Sequence, residues 1–255
     1  MITYRYLDEY GQHLHEIGRD GEWFPLKGCS TIAKTTIDKS AMLIPWAIGQ
    51  SLTYIKDNSD QSDVTGEYCV SEATLEIAKT AHKRSMSKSA DKGIDMHAVL
   101  EVYVDKCIES GVIALDETVP EFSQWAVENV KRFIYSEAHC YSTTHWTGGI
   151  VDVCGELLDG TLFVGDFKSS KEAYIEHFVQ IALYDIMLKE NGAVTDTGKK
   201  MGEWAGAGAY IVFPFRSKPF TPESITDVTK IKQVAINCIA NYDFKLWFDE
   251  YKKTI

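Results

Sequence analysis

Between Gly148 and Lys168 two short apolar runs flank Asp159-Gly160, and each run carries an aspartate where an interior residue belongs. An Asp-Gly pair between apolar runs predicts a β-hairpin. On its second strand Leu162, Val164, Asp166 and Lys168 share one face by the period-two rule. Placing Asp152, Asp166 and Lys168 among Val, Leu and Phe is costly unless the charges pair or hold a metal. The alternatives are a structural salt-bridge triad or a divalent cation that neutralises the two aspartates. Oxygen ligands of this kind suit magnesium or manganese. Both aspartates reach one face only as cross-strand partners. A two-residue Asp159-Gly160 turn would set 152 against 167. A three-residue Leu158-Asp159-Gly160 loop, with Gly160 left-handed in a bulge, sets 157 against 161 and 152 against 166. The longer loop is expected.

The rest of the chain supplies a setting for this hairpin. Of 255 residues, 45% are apolar and 25% charged, which excludes disordered and low-complexity classes. No apolar run is long enough to span a membrane, and the first ten residues lack a basic start and an apolar core, so a cytoplasmic protein is expected. The six cysteines are scattered without any Cys-x-x-Cys, which disfavours zinc and iron–sulfur sites and suits free thiols. A formal net charge of −11 argues against coating nucleic acid nonspecifically. One stretch runs the other way: Lys79, Lys83, Arg84, Lys88 and Lys92 stand against Asp91. Taken alone it reads as a solvated helix face.

Pattern and punctuation predict a hairpin over residues 2–6 and 13–17 and a loop over 28–31. Helices are expected over 38–54, with Asp38 as N-cap, and over 70–83, 87–109 and 120–134. The third of these carries His97 with Glu101 beside it. Residues 135–168 are strand-like, a helix is expected over 171–190, and 191–206 reads as an irregular loop. A buried strand over 209–215 and a helix over 222–252 close the chain. The fold class is α/β: a small mixed central sheet flanked by helices, with a mostly helical N-terminal part (1–134), a core of sheet and helix (135–215) and a C-terminal helix (216–255). No linker composition divides it, so a single domain is expected.

Asp/Glu-x-Lys occurs three times, at 166–168, 243–245 and 250–252. The last two lie in a helical pattern with no preceding strand, and only the first has an upstream partner in Asp152. With His97 on a helix, Gly149-Ile-Val-Asp152, Asp166-Phe-Lys168 and Gln180-Ile-Ala-Leu-Tyr184, the chain resembles the PD-(D/E)xK nuclease superfamily, in its RecB-like branch with many phage exonucleases. The resemblance covers roughly residues 28–215 and implies a restriction-endonuclease-like core. It implies Asp152 and Asp166 as magnesium ligands, with manganese a substitute, and the Phe167 carbonyl and His97 as further ligands. Lys168 would orient the attacking water or stabilise charge on the phosphate. Gln180 and Tyr184, on one helix face, would touch the DNA backbone or hold Lys168. Lys83, Arg84 and Lys88 would contact substrate, and Glu137, with Glu101, would add acidic groups. The implied partners are DNA, single-stranded or with a free end, and a single-strand annealing or binding protein, in the host cytoplasm if the chain is phage-encoded.

The C-terminal cysteine cluster of the iron–sulfur members is missing, so no such cluster is expected. No Gly-x-x-x-x-Gly-Lys-Ser/Thr occurs, so unwinding would come from elsewhere. The leading expectation is a metal-dependent DNA exonuclease acting in recombination, repair or replication. A binding protein on an inactive nuclease scaffold and a nonspecific endonuclease are the competitors. The residues around Gly198-Lys199-Lys200 read as an insertion able to contact DNA.

Overall fold

The computed structural model describes residues 2–9 and 12–253, leaving aside the side chains of 9, 12 and 87–95. Three strands open the chain, β1 (Thr3–Glu9), β2 (Gln12–Arg19) and β3 (Glu22–Pro25), followed by β4 (Lys27–Gly28) and α1 (Cys29–Ala33). Next come α2 (Ser40–Asp57), β5 (Asp60–Gln61), β6 (Tyr68–Cys69), α3 (Glu72–Ala78) and the long α4 (Ala81–Ser110). α5 (Pro120–Asn129) precedes the central strands β7 (Val130–Ser142), β8 (Thr147–Leu157) and β9 (Leu162–Lys168). α6 (Ile175–Asn191), β10 (Ala193–Val194), β11 (Lys200–Gly202), β12 (Ala209–Pro214), β13 (Glu223–Ile225) and α7 (Val228–Tyr251) complete it.

The chain divides into two compact units, residues 1–37 with 97–255, and residues 38–96. Sequence composition shows no boundary because the second junction falls inside α4, where a helix runs through without a loop. In the smaller unit Ser71 caps α3 by accepting from the Thr74 N–H at 3.0 Å. The Asp38 side chain takes the Ser40 N–H at 2.8 Å, although Lys39 is the cap residue of α2.

The larger unit is mixed α/β, built on an eight-stranded sheet in the order β11-β10-β7-β8-β9-β12-β13, with β4 against β8. β12 runs parallel to β9, whereas β7, β8 and β9 are antiparallel neighbours. Helices flank both faces. Val164, Tyr210 and Val212 pack with residues of α1, α6 and α7, and Phe163, Phe167 and Phe213 pack with residues of α4 and α5. Alternating apolar residues on β9 thus feed two cores, which is why that strand reads as almost continuously apolar.

The hairpin between β8 and β9 has the three-residue loop that the aspartates require. Leu157 N–H donates to Thr161 O at 2.8 Å, Gly160 N–H to Leu157 O at 2.9 Å, and Gly160 has φ +88°. The Asp159 carboxylate also accepts from the Thr161 N–H at 2.9 Å. The ladder pairs Glu156 with Leu162 and Val153 with Gly165, so the register carries Asp152 opposite Asp166.

Several expected boundaries shift. The 28–31 loop is replaced by α1, a five-residue helix held by burial of Cys29, Ile32 and Ala33. The expected 120–134 helix ends at Asn129, because Val130 is already extended and begins β7. α4 starts at Ala81, six residues before its predicted start, and α3 ends at Ala78. The N-terminal part is not mostly helical at its beginning, since β1–β3 form a sheet of their own. Residues 191–206 contain β10 and β11, and the segment between them is pinned to β1. Tyr6 N–H donates to Asp196 O at 2.8 Å, and a Cβ on Gly198 (φ +80°) would stand 2.4 Å from the Tyr4 carbonyl oxygen. β13 occupies residues 223–225, where the last helix was expected to begin. No helix among the described residues is long and apolar enough to cross a membrane.

Candidate active site

β7 contributes the first acid. Its pairing with β8 starts at Val130↔Leu157 and shifts by one residue twice, between Val130 and Arg132 and between Phe133 and Tyr135. Without these bulges Tyr135 would stand across from Asp152. With them, Ser136 meets Val153 and Ala138 meets Val151, so Glu137 stands there instead. Glu137 has φ +43°, a left-handed conformation that non-glycine residues adopt at a cost of about 1 kcal/mol or more. Glu137, Asp152 and Asp166 therefore form a row across three adjacent strands.

Each acid is held differently. The β8–β9 ladder stops after Val153↔Gly165, and the Asp152 carboxylate takes over by accepting the Phe167 N–H at 2.6 Å. Asp166 is fully buried and its Oδ2 lies 2.5 Å from Lys168 Nζ, whereas its Oδ1 accepts no hydrogen bond from any described residue. A buried carboxylate oxygen without a donor is expensive and normally marks an ion or a chemical role. Burial, together with the Asp152 charge, pushes Asp166 up to about 7 despite the opposing Lys168 ammonium. Burial also raises Asp152, against the pull of Lys168 and the Phe167 N–H. Glu137 is pushed up to about 8 by burial and then by Asp152, Glu101, Asp166 and Asp105. Burial alone would depress Lys168, but Asp166 and Asp152 outweigh it and hold the ammonium charged.

α4 lays a second wall. His97, Glu101 and Asp105 recur every fourth residue and share a helix face. His97 Nε2 donates to the Phe167 carbonyl oxygen at 2.6 Å, and burial lowers its pKa from the usual histidine value, against the pull of that hydrogen bond and of Asp166. The two groups that the resemblance assigns to a metal, beside the aspartates, thus point at each other. Asp105 was missed by sequence reading, although its spacing of four from Glu101 was the available signal.

α6 closes the third side. Gln180 Nε2 donates to Tyr184 OH at 2.5 Å, and Tyr184 is buried. Lys168 has Asp166 as its partner, so the expectation that Gln180 or Tyr184 holds Lys168 is corrected: these two bond each other. The glycines explain the close approach. A Cβ on Gly149 would stand 2.6 Å from Tyr184 Cε1 and 3.2 Å from Cys29 Sγ, and one on Gly148 would stand 2.5 Å from His15 Cβ. Beside them opens a polar cavity of about 400 Å³, lined by His13, His15, Ser30, Thr31 and Gln180 among others. Gly149→Ala is expected to cost about 1–3 kcal/mol by overpacking against a ring that cannot retreat. Thermal denaturation measures this, and an unchanged melting temperature would contradict the packing role.

Lys83 and Arg84 belong to the smaller unit. Arg84 stacks 4.9 Å over the Tyr54 ring and donates to Thr80 Oγ1 and Ile77 O. Lys88 lies outside the described side chains. The other two Asp/Glu-x-Lys strings sit on or at the end of α7, where Asp243 pairs with Lys27 at 2.6 Å.

The donor set offers carboxylates, one peptide carbonyl and one imidazole, with an orphaned oxygen on Asp166. That set fits a hard divalent cation such as magnesium. Among the described residues no three His, Cys, Asp or Glu side chains already converge on one cation position. No family model and no curated protein matches the chain.

Proposed function

We propose that the chain is a magnesium-dependent DNA exonuclease of the RecB-like PD-(D/E)xK type, with a restriction-endonuclease-like core. The observation that carries this reading is the Asp152–Asp166 register, which brings two buried carboxylates to one face with Lys168 two residues further on. The orphaned Oδ1 of Asp166 supports a cation there.

In this reading Asp152, Asp166 and the Phe167 carbonyl hold the metal, with His97 at its edge. A bound magnesium supplies Lewis-acid polarisation of the phosphate and a more acidic water. Lys168 orients the attacking water or stabilises negative charge as it develops on the phosphate. His97 fixes the Phe167 carbonyl from the α4 side. Glu137 and Glu101 extend the acidic rim, and the half-buried Gln180 with the buried Tyr184 shapes the wall that DNA meets.

The charge distribution supports attack at an end. With a net charge of −11 the chain repels continuous duplex except at a local basic surface. The test is digestion of a linear single strand and the same strand as a covalently closed circle, both with magnesium. The linear form is expected to disappear while the circle persists. Comparable loss of the circle would replace this reading with a nonspecific endonuclease on the same site. Magnesium-dependent binding with no cleavage of either would indicate an inactive scaffold.

A further inference from the structure

The two Asp/Glu-x-Lys strings at the end of α7 repeat at an interval of seven: Asp243-Phe244-Lys245 and Glu250-Tyr251-Lys252. Seven residues are close to two helical turns, so the strings lie one above the other. Successive residues of a helix turn by about 100°, so each string sets an aromatic ring between an acid on one side and a lysine on the other. Trp247 and Phe248 follow Phe244 by three and four residues and complete an aromatic stripe along one face. One border of the stripe is acidic, Asp243 and Glu250, and the other is basic, Lys245 and Lys252.

This part of α7 has no buried residue. Ala235, Cys238 and Ile239 enter the core and Tyr242 packs against it, whereas every residue from 243 to 251 is exposed. Phe244 is 63% exposed and Trp247 58%. The rings meet one another. Phe244 and Phe248 lie within 12° of parallel with centroids 6.1 Å apart, and Trp247 and Tyr251 within 15° at 5.5 Å. Lys252 Nζ sits 4.4 Å over the Phe248 ring. A short helical segment is marginal in water unless it buries an apolar face, and a continuous exposed apolar patch marks a binding surface.

The borders select the occupant. Residues 243–253 carry three acids and three lysines. That balance fits neither the basic groove of a single-strand platform nor the Lys/Arg-rich polar face of a membrane-surface helix. It fits a second copy of the same helix. In a parallel pair about a two-fold axis along the helices, the acidic border of each copy faces the basic border of the other. In an antiparallel pair like borders would meet. Asp243 holds Lys27 at 2.6 Å, but its side chain is 50% exposed, which leaves room for a facing lysine. Four half-exposed rings offer on the order of 400 Å² per copy, the low end for a specific interface, so association at micromolar concentration is expected.

We propose that residues 243–252 form a self-association surface, on which two copies of the chain pair in parallel, stripe against stripe and acidic border against basic border. The pairing does not depend on the nuclease reading.

Sedimentation equilibrium of the full chain across micromolar concentrations tests it. The unaltered chain is expected to pass from monomer to dimer. Trp247→Ala with Phe248→Ala is expected to raise the dimer Kd about tenfold or more, as loss of central aromatic anchors does. Lys245→Glu with Lys252→Glu makes both borders acidic, and Asp243→Lys with Glu250→Lys makes both basic. Each is expected to weaken self-pairing about fivefold or more, while an equimolar mixture of the two forms a heterodimer. All these positions are exposed, so the fold is expected to survive the changes. A chain that stays monomeric throughout would overturn the proposal, as would a dimer that the ring variant leaves intact. Border variants that pair as tightly as the unaltered chain would overturn the parallel arrangement and the proposal with it. A monomer whose fluorescence is shifted by a single-stranded oligonucleotide or by anionic vesicles, with the shift lost in Trp247→Phe, would assign the stripe to that occupant instead.

Discussion

Asp166→Ala and Lys168→Ala are each expected to abolish magnesium-dependent cleavage of end-labelled DNA while the protein stays folded. The loss expected is on the order of a thousandfold or more, because under the proposed nuclease function each change removes a preorganised charge that would face the reacting phosphate. Survival of the fold follows from the energetics. Asp166 is a fully buried carboxylate with one oxygen lacking a donor, so the desolvation relieved by its removal offsets part of the cost of parting it from Lys168, whose partly exposed ammonium can turn to solvent. Lys168 lies at the end of β9 and is partly exposed, so its truncation leaves a solvated gap. Far-UV circular dichroism beside the digestion separates lost chemistry from lost structure. Near-normal hydrolysis by either variant would remove the site assignment. Calcium is expected to support DNA binding with little cutting, since its looser coordination orients water poorly.

In a chelator, the melting temperature is expected to fall as pH rises from 6.5 to 8.5. Asp166 is raised to about 7 and Glu137 to about 8, in each case first by burial and then by neighbouring acids. An unfolded chain ionises both near pH 4, so the folded protein binds protons that the unfolded one does not. Stability is therefore lost as pH climbs from that range through the folded values. Across the stated window the two groups together account for about 2–3 kcal/mol, or roughly 5–10 °C in a chain of this size. The buried histidines oppose this only in the lower part of the window: burial depresses His15 to about 4 and lowers His97 and His139, so their contribution is nearly complete by about pH 7.5 and offsets roughly 1 kcal/mol of the decline. Asp166→Asn and Glu137→Gln should each flatten the decline, and magnesium should restore much of the loss at pH 8.5. A melting temperature that is level or rising across the window in chelator would contradict the buried acidic row.

Much of the site was legible because its elements are local. The Asp159-Gly160 turn, the two-residue period of β9 and the need to bring two aspartates to one face together specify a register, and the ladder has that register. Gln180 and Tyr184 were legible as a helix pair by their spacing. Less legible were the partners. Glu137 follows from two bulges in β7, and nothing in Val130–Tyr135 announces where a strand will slip. Asp105 sits at helical spacing from a recognised residue, but spacing alone does not say which helix face meets the sheet.

Sequence by itself thus determined the hairpin, its three-residue loop, the opposition of Asp152 to Asp166 and the apolar strand that buries them. These depend on turn chemistry and side-chain alternation, which act over a few residues. Tertiary structure decided the rest. It converted the 28–31 loop into a helix by burying Cys29 and Ile32, pinned residues 196–198 against β1, and ended the 120–129 helix so that Val130 could join the sheet. It also set Glu137 across from Asp152 and pointed His97 at the Phe167 carbonyl. Each of those outcomes depends on contacts between residues distant in the chain, whose free energy outweighs local preference and leaves no mark at the positions it moves.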